Sequence, residues 1–202
     1  MNTSKYEPWM CNEGLLLFNE ELKKSKSYLE YGSGNSTLYA LTKSPVNQII
    51  SVDSDLEWVK KINVEVDLHI NLFPQKNVNL IHCDVGLVGE WGEPVGFDGF
   101  QSYWSYANLP WMKVIELKLT KPDLILVDGR FRVACFLVSI INADANTSIL
   151  FDDYLERSEY HLVEKYAYLE KISGRMALFK VGKNINLHEI CIDLMRYSTV
   201  SA

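Results

Sequence analysis

Tyr28-Leu29-Glu30-Tyr31-Gly32-Ser33-Gly34-Asn35-Ser36-Thr37 is the stretch that decides how this chain folds. It reads as a buried strand ending in a carboxylate, then a tight glycine turn, then a helix start capped by Ser36 or Thr37. Glycines at alternate positions let the backbone approach a ligand closely, and the free N–H groups of a helix N-terminus point at the same place.

Outward from this turn, short apolar runs alternate with amphipathic segments, the pattern of a mostly parallel α/β sheet with helices on both faces. Strands are expected over 26–31, 47–53, 77–83, 122–128 and 147–152. Each ends in or beside an acid, and ligands of open α/β sheets bind at the carboxyl ends of strands. Apolar residues at helical spacing predict helices over about 12–24, 36–43, 55–68, 104–119, 131–142 and 156–166. Two apolar runs, Ala167–Ser173 and Arg175–Val181, flank Gly174 and read as an antiparallel hairpin closing the sheet. The tail from Lys183 is expected to carry a short helix around 187–196. With 202 residues and 48% hydrophobic content, one domain over 1–202 is expected.

The glycine turn departs from a dinucleotide-binding turn in two ways. Thr37 stands where a third glycine belongs, and Glu30 precedes the turn, which argues against a nicotinamide-dependent oxidoreductase. An acid two residues before the first glycine instead resembles the first motif of class I S-adenosylmethionine (SAM)-dependent methyltransferases. The resemblance extends over about 25–182 and implies a Rossmann-like, seven-stranded, mostly parallel sheet with an antiparallel C-terminal hairpin. It further implies that Gly32, Ser33, Gly34, Asn35 and Ser36 hold the cofactor, with Glu30 toward its amino group. Asp53, at the end of the second strand, would take the ribose hydroxyls, and Asp84, after the third, the adenine amine.

Strand four ends in Val127-Asp128-Gly129-Arg130-Phe131-Arg132, and strand five in Phe151-Asp152-Asp153-Tyr154. This pairing resembles metal-dependent O-methyltransferases acting on catechols and macrolide sugars. The resemblance implies Asp128, Asp152 and Asp153 around a divalent ion, Mg²⁺ suiting such an oxygen set. Two arginines directly after Asp128 depart from it. Arg130 can instead neutralise the acids, or Arg130 and Arg132 can grip a carboxylate or phosphate of the substrate. Both readings stand at this level. Asp128 and His161, the latter on a helix near the same rim, are the candidate bases.

Residues 84–111 carry Trp91, Phe97, Phe100, Tyr103, Trp104, Tyr106 and Trp111 with five glycines. Such aromatic content argues against disorder, so an insertion over about 85–111 is expected to wall or cover a substrate pocket. The other reading is an aromatic mini-core or a dimer contact, which leaves a homo-oligomer open.

A net charge of −6 argues against a nucleic-acid or anionic-membrane partner, and no apolar run is long enough to span a bilayer. The N-terminus has no signal-peptide core, and four well-separated cysteines read as reduced thiols, so a cytoplasmic protein is expected. The functional expectation is a SAM-dependent methyltransferase acting on a small molecule or saccharide, on oxygen. The alternative is a catalytically inactive methyltransferase-fold protein that binds a ligand or partner subunit.

Overall fold

The computed structural model describes residues 6–201. Their elements run α1 (Asn12–Lys24), β1 (Ser27–Tyr31), α2 (Asn35–Lys43), β2 (Gln48–Asp53), α3 (Leu56–Ile70), β3 (Asn77–His82), α4 (Tyr103–Glu116), β4 (Leu124–Val127), α5 (Arg132–Asn142), β5 (Ser148–Phe151), β6 (Ala167–Ser173), β7 (Met176–Val181) and α6 (Leu187–Tyr197). One seven-stranded sheet has the order β3-β2-β1-β4-β5-β7-β6. The first five strands in that order are parallel, and β7 pairs antiparallel with both β5 and β6.

The alternation of strand side chains builds a core on each face. On one face Leu29, Tyr31, Ile50, Val52, Ile125, Val127, Ile149 and Phe151 pack with α4, α5 and α6. On the other, Tyr28, Ile49, Leu124, Leu126 and Leu150 pack with α1, α2 and α3. Helix α5 is buried from Arg132 to Ile140, as expected of a helix covering the sheet centre. Among the described residues no helix is long and apolar enough to cross a membrane.

Two expected elements differ. The segment expected as a helix over 156–166 is a 3-10 helix, Ser158–Lys165, bounded by turns. The aromatic segment divides. Its C-terminal part enters α4 and buries Tyr103, Tyr106 and Trp111 in the core. Its N-terminal part is a pinched loop: a Cβ on Gly99 would fall 1.8 Å from the Val85 carbonyl oxygen, so only glycine lets the two limbs cross there. The C-terminal part thus joins the sheet core rather than forming a separate mini-core, and Trp91 and Gly92 of the N-terminal part line a cavity.

Candidate functional site

Crossover helices leave the carboxyl ends of β1, β2, β4 and β5 open to one side, and a cavity of about 700 Å³ lies there. Gly32 turns the chain out of β1 with φ +97°, and a Cβ there would fall 2.9 Å from the Asp128 carbonyl oxygen and from Gly129 Cα. The turns after β1 and β4 therefore press backbone on backbone. Gly34 is extended, and a Cβ on it would meet only the Trp58 ring, 4.0 Å away. The space in front of Gly34 belongs to the cavity, which Ser33, Asn35 and Ser36 also line.

The helix that follows is capped from below. Gly34 is the N-cap, and its N–H donates to the Thr37 hydroxyl at 3.0 Å. That hydroxyl donates to Glu30, which also accepts from the Tyr28 hydroxyl at 2.7 Å. Glu30 is fully buried and does not line the cavity. Expected to reach a ligand amine directly or through water, Glu30 lies under the turn and supports it through these two hydroxyls. Burial pushes its pKa up, and the donating hydroxyls oppose that shift.

Asp53 does face the cavity. Its Oδ2 accepts from the Ser33 N–H at 2.9 Å and its Oδ1 from the Asp55 N–H at 3.0 Å. Burial raises its pKa to about 6 despite these donors. A carboxylate oxygen can accept more than one hydrogen bond, so Asp53 keeps capacity for ligand hydroxyls. Asp84 is exposed, accepts from the Gly86 N–H at 2.9 Å and lies off the cavity. Its expected contact with an adenine amine has no geometry here.

At the other end, carboxylate oxygens of Asp128, Asp152 and Asp153 lie within 4.8 Å of one another, as the resemblance implied. Two guanidinium groups pair with them. Arg132 lies 3.3 Å from Asp128 and 3.1 Å from Asp153, while Arg175 lies 3.2 Å from Asp152 and 2.9 Å from Asp153. Arg132 also donates to the Gly129 and Asp152 carbonyl oxygens. A dication would have to displace or face both guanidinia across buried distances, so this donor set does not fit Mg²⁺. The neutralising cations are Arg132 and Arg175 rather than Arg130, whose Nη1 pairs with Glu93 at 2.6 Å. Arg132 is consumed within the cluster and is not open to grip a substrate. Burial and the charges of Asp152 and Asp153 push the Asp128 carboxyl up, and Arg132 pulls it down. Its side chain remains 27% exposed, on the cavity wall.

His161 stands outside. Its ring lies against Tyr154, with centroids 4.7 Å apart, and does not line the cavity, so it has no reach as a base.

Trp91, from the aromatic segment expected to wall a pocket, lines the glycine-turn end with Trp9 and Trp58, which the sequence did not single out, Trp9 and Trp91 meeting edge to face at 5.3 Å. The Trp58 indole donates to the Ser33 carbonyl oxygen at 2.7 Å. The loop bearing Trp91 is anchored where the Ser54 hydroxyl donates to the Gly92 carbonyl oxygen at 2.7 Å and where Glu93 meets Arg130, so it forms a wall. Arg157 and Arg175 line the acid end. Arg175 precedes the second run of the expected hairpin, and the insertion of β7 beside β5 is what brings it to the acids.

No protein-family model matches the chain, and no curated protein is similar to it in sequence. Among solved structures, the chain is similar to a methyltransferase-like protein from Silicibacter pomeroyi DSS-3, with a TM-score of 0.86, 30% identity, and 96% of this chain and 97% of that one covered. It is also similar, at 12% identity, to a candidate caffeoyl-CoA O-methyltransferase from Staphylococcus aureus (TM-score 0.58, 87% of this chain and 86% of that one). A candidate methyltransferase from Escherichia coli stands at 12% identity and TM-score 0.52, covering 88% of this chain and 89% of that one. These last two show the fold alone. The first, with the sheet order and the glycine turn, shows that this chain belongs to the class I SAM-dependent methyltransferase family.

Proposed function

We propose that this chain transfers a methyl group from SAM to an oxygen of a small molecule or saccharide. The observation that carries the reading is that the Gly34 face and the Asp53 carboxylate open onto the same cavity as Asp128. The residues fit the cofactor: backbone that admits close approach, an acceptor for vicinal hydroxyls, and tryptophan surfaces for a purine. Bound there, SAM would supply an electrophilic methyl carbon on a sulfonium.

The protein's own work is then positioning and proton removal. Asp53 and the glycine turn hold one end, and the anchored loop with Trp91 limits water at the rim. Asp128 is the group at hand to accept the proton of an attacking hydroxyl, since burial makes it a stronger base than an exposed carboxylate. No divalent ion enters this reading. All four cysteines are free thiols, which agrees with a cytoplasmic setting.

The bond from Arg132 to Asp128 favours a second reading, a fold member that binds SAM without turnover. Calorimetry with SAM and with its demethylated product, S-adenosylhomocysteine (SAH), tests the shared premise. Formation of SAH from SAM across a panel of hydroxylated acceptors separates the two. Asp128→Asn should then lower turnover on the order of 10²–10⁴-fold with SAH affinity unchanged. Equal, tight binding of both cofactor forms with no turnover of any acceptor would favour the second reading.

A further inference from the structure

Four arginines line the acid end of the cavity, and their partners differ. Arg132 and Arg175 are spent on the three aspartates. Among the described residues Arg157 meets no carboxylate: its Nη1 donates to the Tyr160 hydroxyl at 3.1 Å, and its guanidinium lies 5.6 Å from the centroid of that ring. The Tyr160 ring is fully buried and carries Arg132 at 5.9 Å as well, so it fixes where Arg157 sits while leaving most of its donors unused. Among the described residues the Arg130 side chain is bonded to Glu93 through Nη1 alone, and its Nε is buried with no acceptor.

A guanidinium has five donors, and a buried donor without an acceptor, such as Arg130 Nε, is costly, whereas half-buried Arg157 presents its unused donors on the cavity wall. Proteins rarely keep such groups unless a ligand, ion or water completes them. We infer that the acceptor end of this cavity binds an anionic oxygen group, a carboxylate or a phosphate, through Arg157, with Arg130 on the wall of the same cavity. The inference rests on the methyltransferase reading for the word acceptor, but the arginine site stands on its own geometry. A planar fork of donors matches two oxygens of such a group at once, which an alcohol or an amine cannot offer. The aspartates do not compete, because Arg132 and Arg175 hold them. An anion at Arg157 would sit on the same cavity as Asp128, so a hydroxyl on the anion-bearing molecule can reach that carboxylate. The acceptor class is thus a hydroxylated acid or a phosphorylated polyol or sugar.

The test is calorimetric titration of the SAH-loaded protein with inorganic phosphate and, separately, with acetate at fixed ionic strength. Wild type should bind at least one of them, and Arg157→Met should weaken that binding tenfold or more. Arg157→Lys, which keeps the charge and loses the fork, should fall between. Arg130→Met should also weaken it, with SAH affinity within about threefold of wild type in every variant. Preference for phosphate points to a phosphorylated acceptor, and preference for acetate to a carboxylate. Anion binding that none of the variants alters, or no binding of either anion, overturns the inference. If wild type fails to bind SAH, the methyltransferase reading fails instead. The same titrations of the unloaded protein then still decide the arginine site: loss in the variants supports it, and no binding overturns it.

Discussion

The backbone N–H of Ser33 donates to Asp53 Oδ2 at 2.9 Å, so the carboxylate that ends β2 also holds the glycine turn that ends β1. One side chain therefore couples the two segments expected to grip opposite parts of a nucleoside. Substituting it should both remove a ligand acceptor and loosen the turn.

The first prediction concerns pH. Asp53 has its pKa raised to about 6 by burial, so the folded protein holds this proton more tightly than the unfolded chain does. Its contribution to stability therefore falls as pH rises from about 4 to about 6 and is level above that. Ribose hydroxyls need the ionised form, so SAH affinity should increase over the upper part of the same window and then level off. Asp53→Asn should abolish that dependence and weaken SAH by about 1.5–3 kcal/mol, the range for hydrogen bonds to a charged group. Calorimetry at a series of pH values checks it, and a slope that persists in the variant would remove Asp53 from the ribose.

Gly32 and Gly34 should fail differently. Gly34→Val places its side chain in the cavity and should abolish SAH binding while the thermal transition moves little, because only the Trp58 ring is near. Gly32→Ala combines a left-handed backbone with contacts under 3.0 Å to backbone atoms of the β4 turn, and should cost more than about 2 kcal/mol of stability. Denaturant unfolding of both variants beside SAH titration separates the effects. Equal stability loss in the two would contradict the geometry.

Glu30 should act without touching ligand. Glu30→Ala leaves the Tyr28 and Thr37 hydroxyls without their acceptor, a loss on the order of 3 kcal/mol. Glu30→Gln keeps an acceptor oxygen and removes a buried charge, so its cost should be distinctly smaller. SAH affinity should follow the same order, since the turn that Thr37 holds is the one expected to contact the cofactor. Were Gln to bind SAH as poorly as Ala, a direct charge contact would be implied.

Metal removal should change nothing. Two guanidinia already pair with the Asp128, Asp152 and Asp153 cluster, so prolonged chelation should leave SAH binding, stability and any methyl transfer as they were. Arg132→Met, by contrast, exposes the acids to one another and should destabilise by about 3–5 kcal/mol. Mg²⁺ that raised activity or melting temperature of the wild type would overturn the arginine assignment.

The strand ends were readable because each parallel strand is an apolar run that stops at a polar residue, and the Gly-Ser-Gly spacing fixed where the first one turns. The hairpin at Gly174 was readable for the same reason, two apolar runs around one glycine. What the acids do was not readable, because a carboxylate at a strand end looks the same in sequence whether it faces a ligand, as Asp53 does, or supports a turn from beneath, as Glu30 does. Strand alternation places Glu30 on the α2 face, where Thr37 waits seven residues along. His161 likewise lies against Tyr154 and off the cavity, a packing contact that sequence does not display.

By itself the sequence determined the order of strands and helices along the chain and the glycine turn, since these follow from local patterning, while the gathering of Asp128, Asp152 and Asp153 was legible only through the family resemblance, which makes β4 and β5 neighbours. Only the tertiary structure decided which cation meets those acids. Arg175 lies 47 residues from Asp128 in a chain of 202, and arrives because β7 inserts antiparallel beside β5 and begins where β5 ends. Arg130, next to Asp128 in sequence, is drawn the other way by Glu93 on the anchored loop. Charges choose partners by distance in space, and a buried carboxylate is held by whichever guanidinium the fold delivers to it.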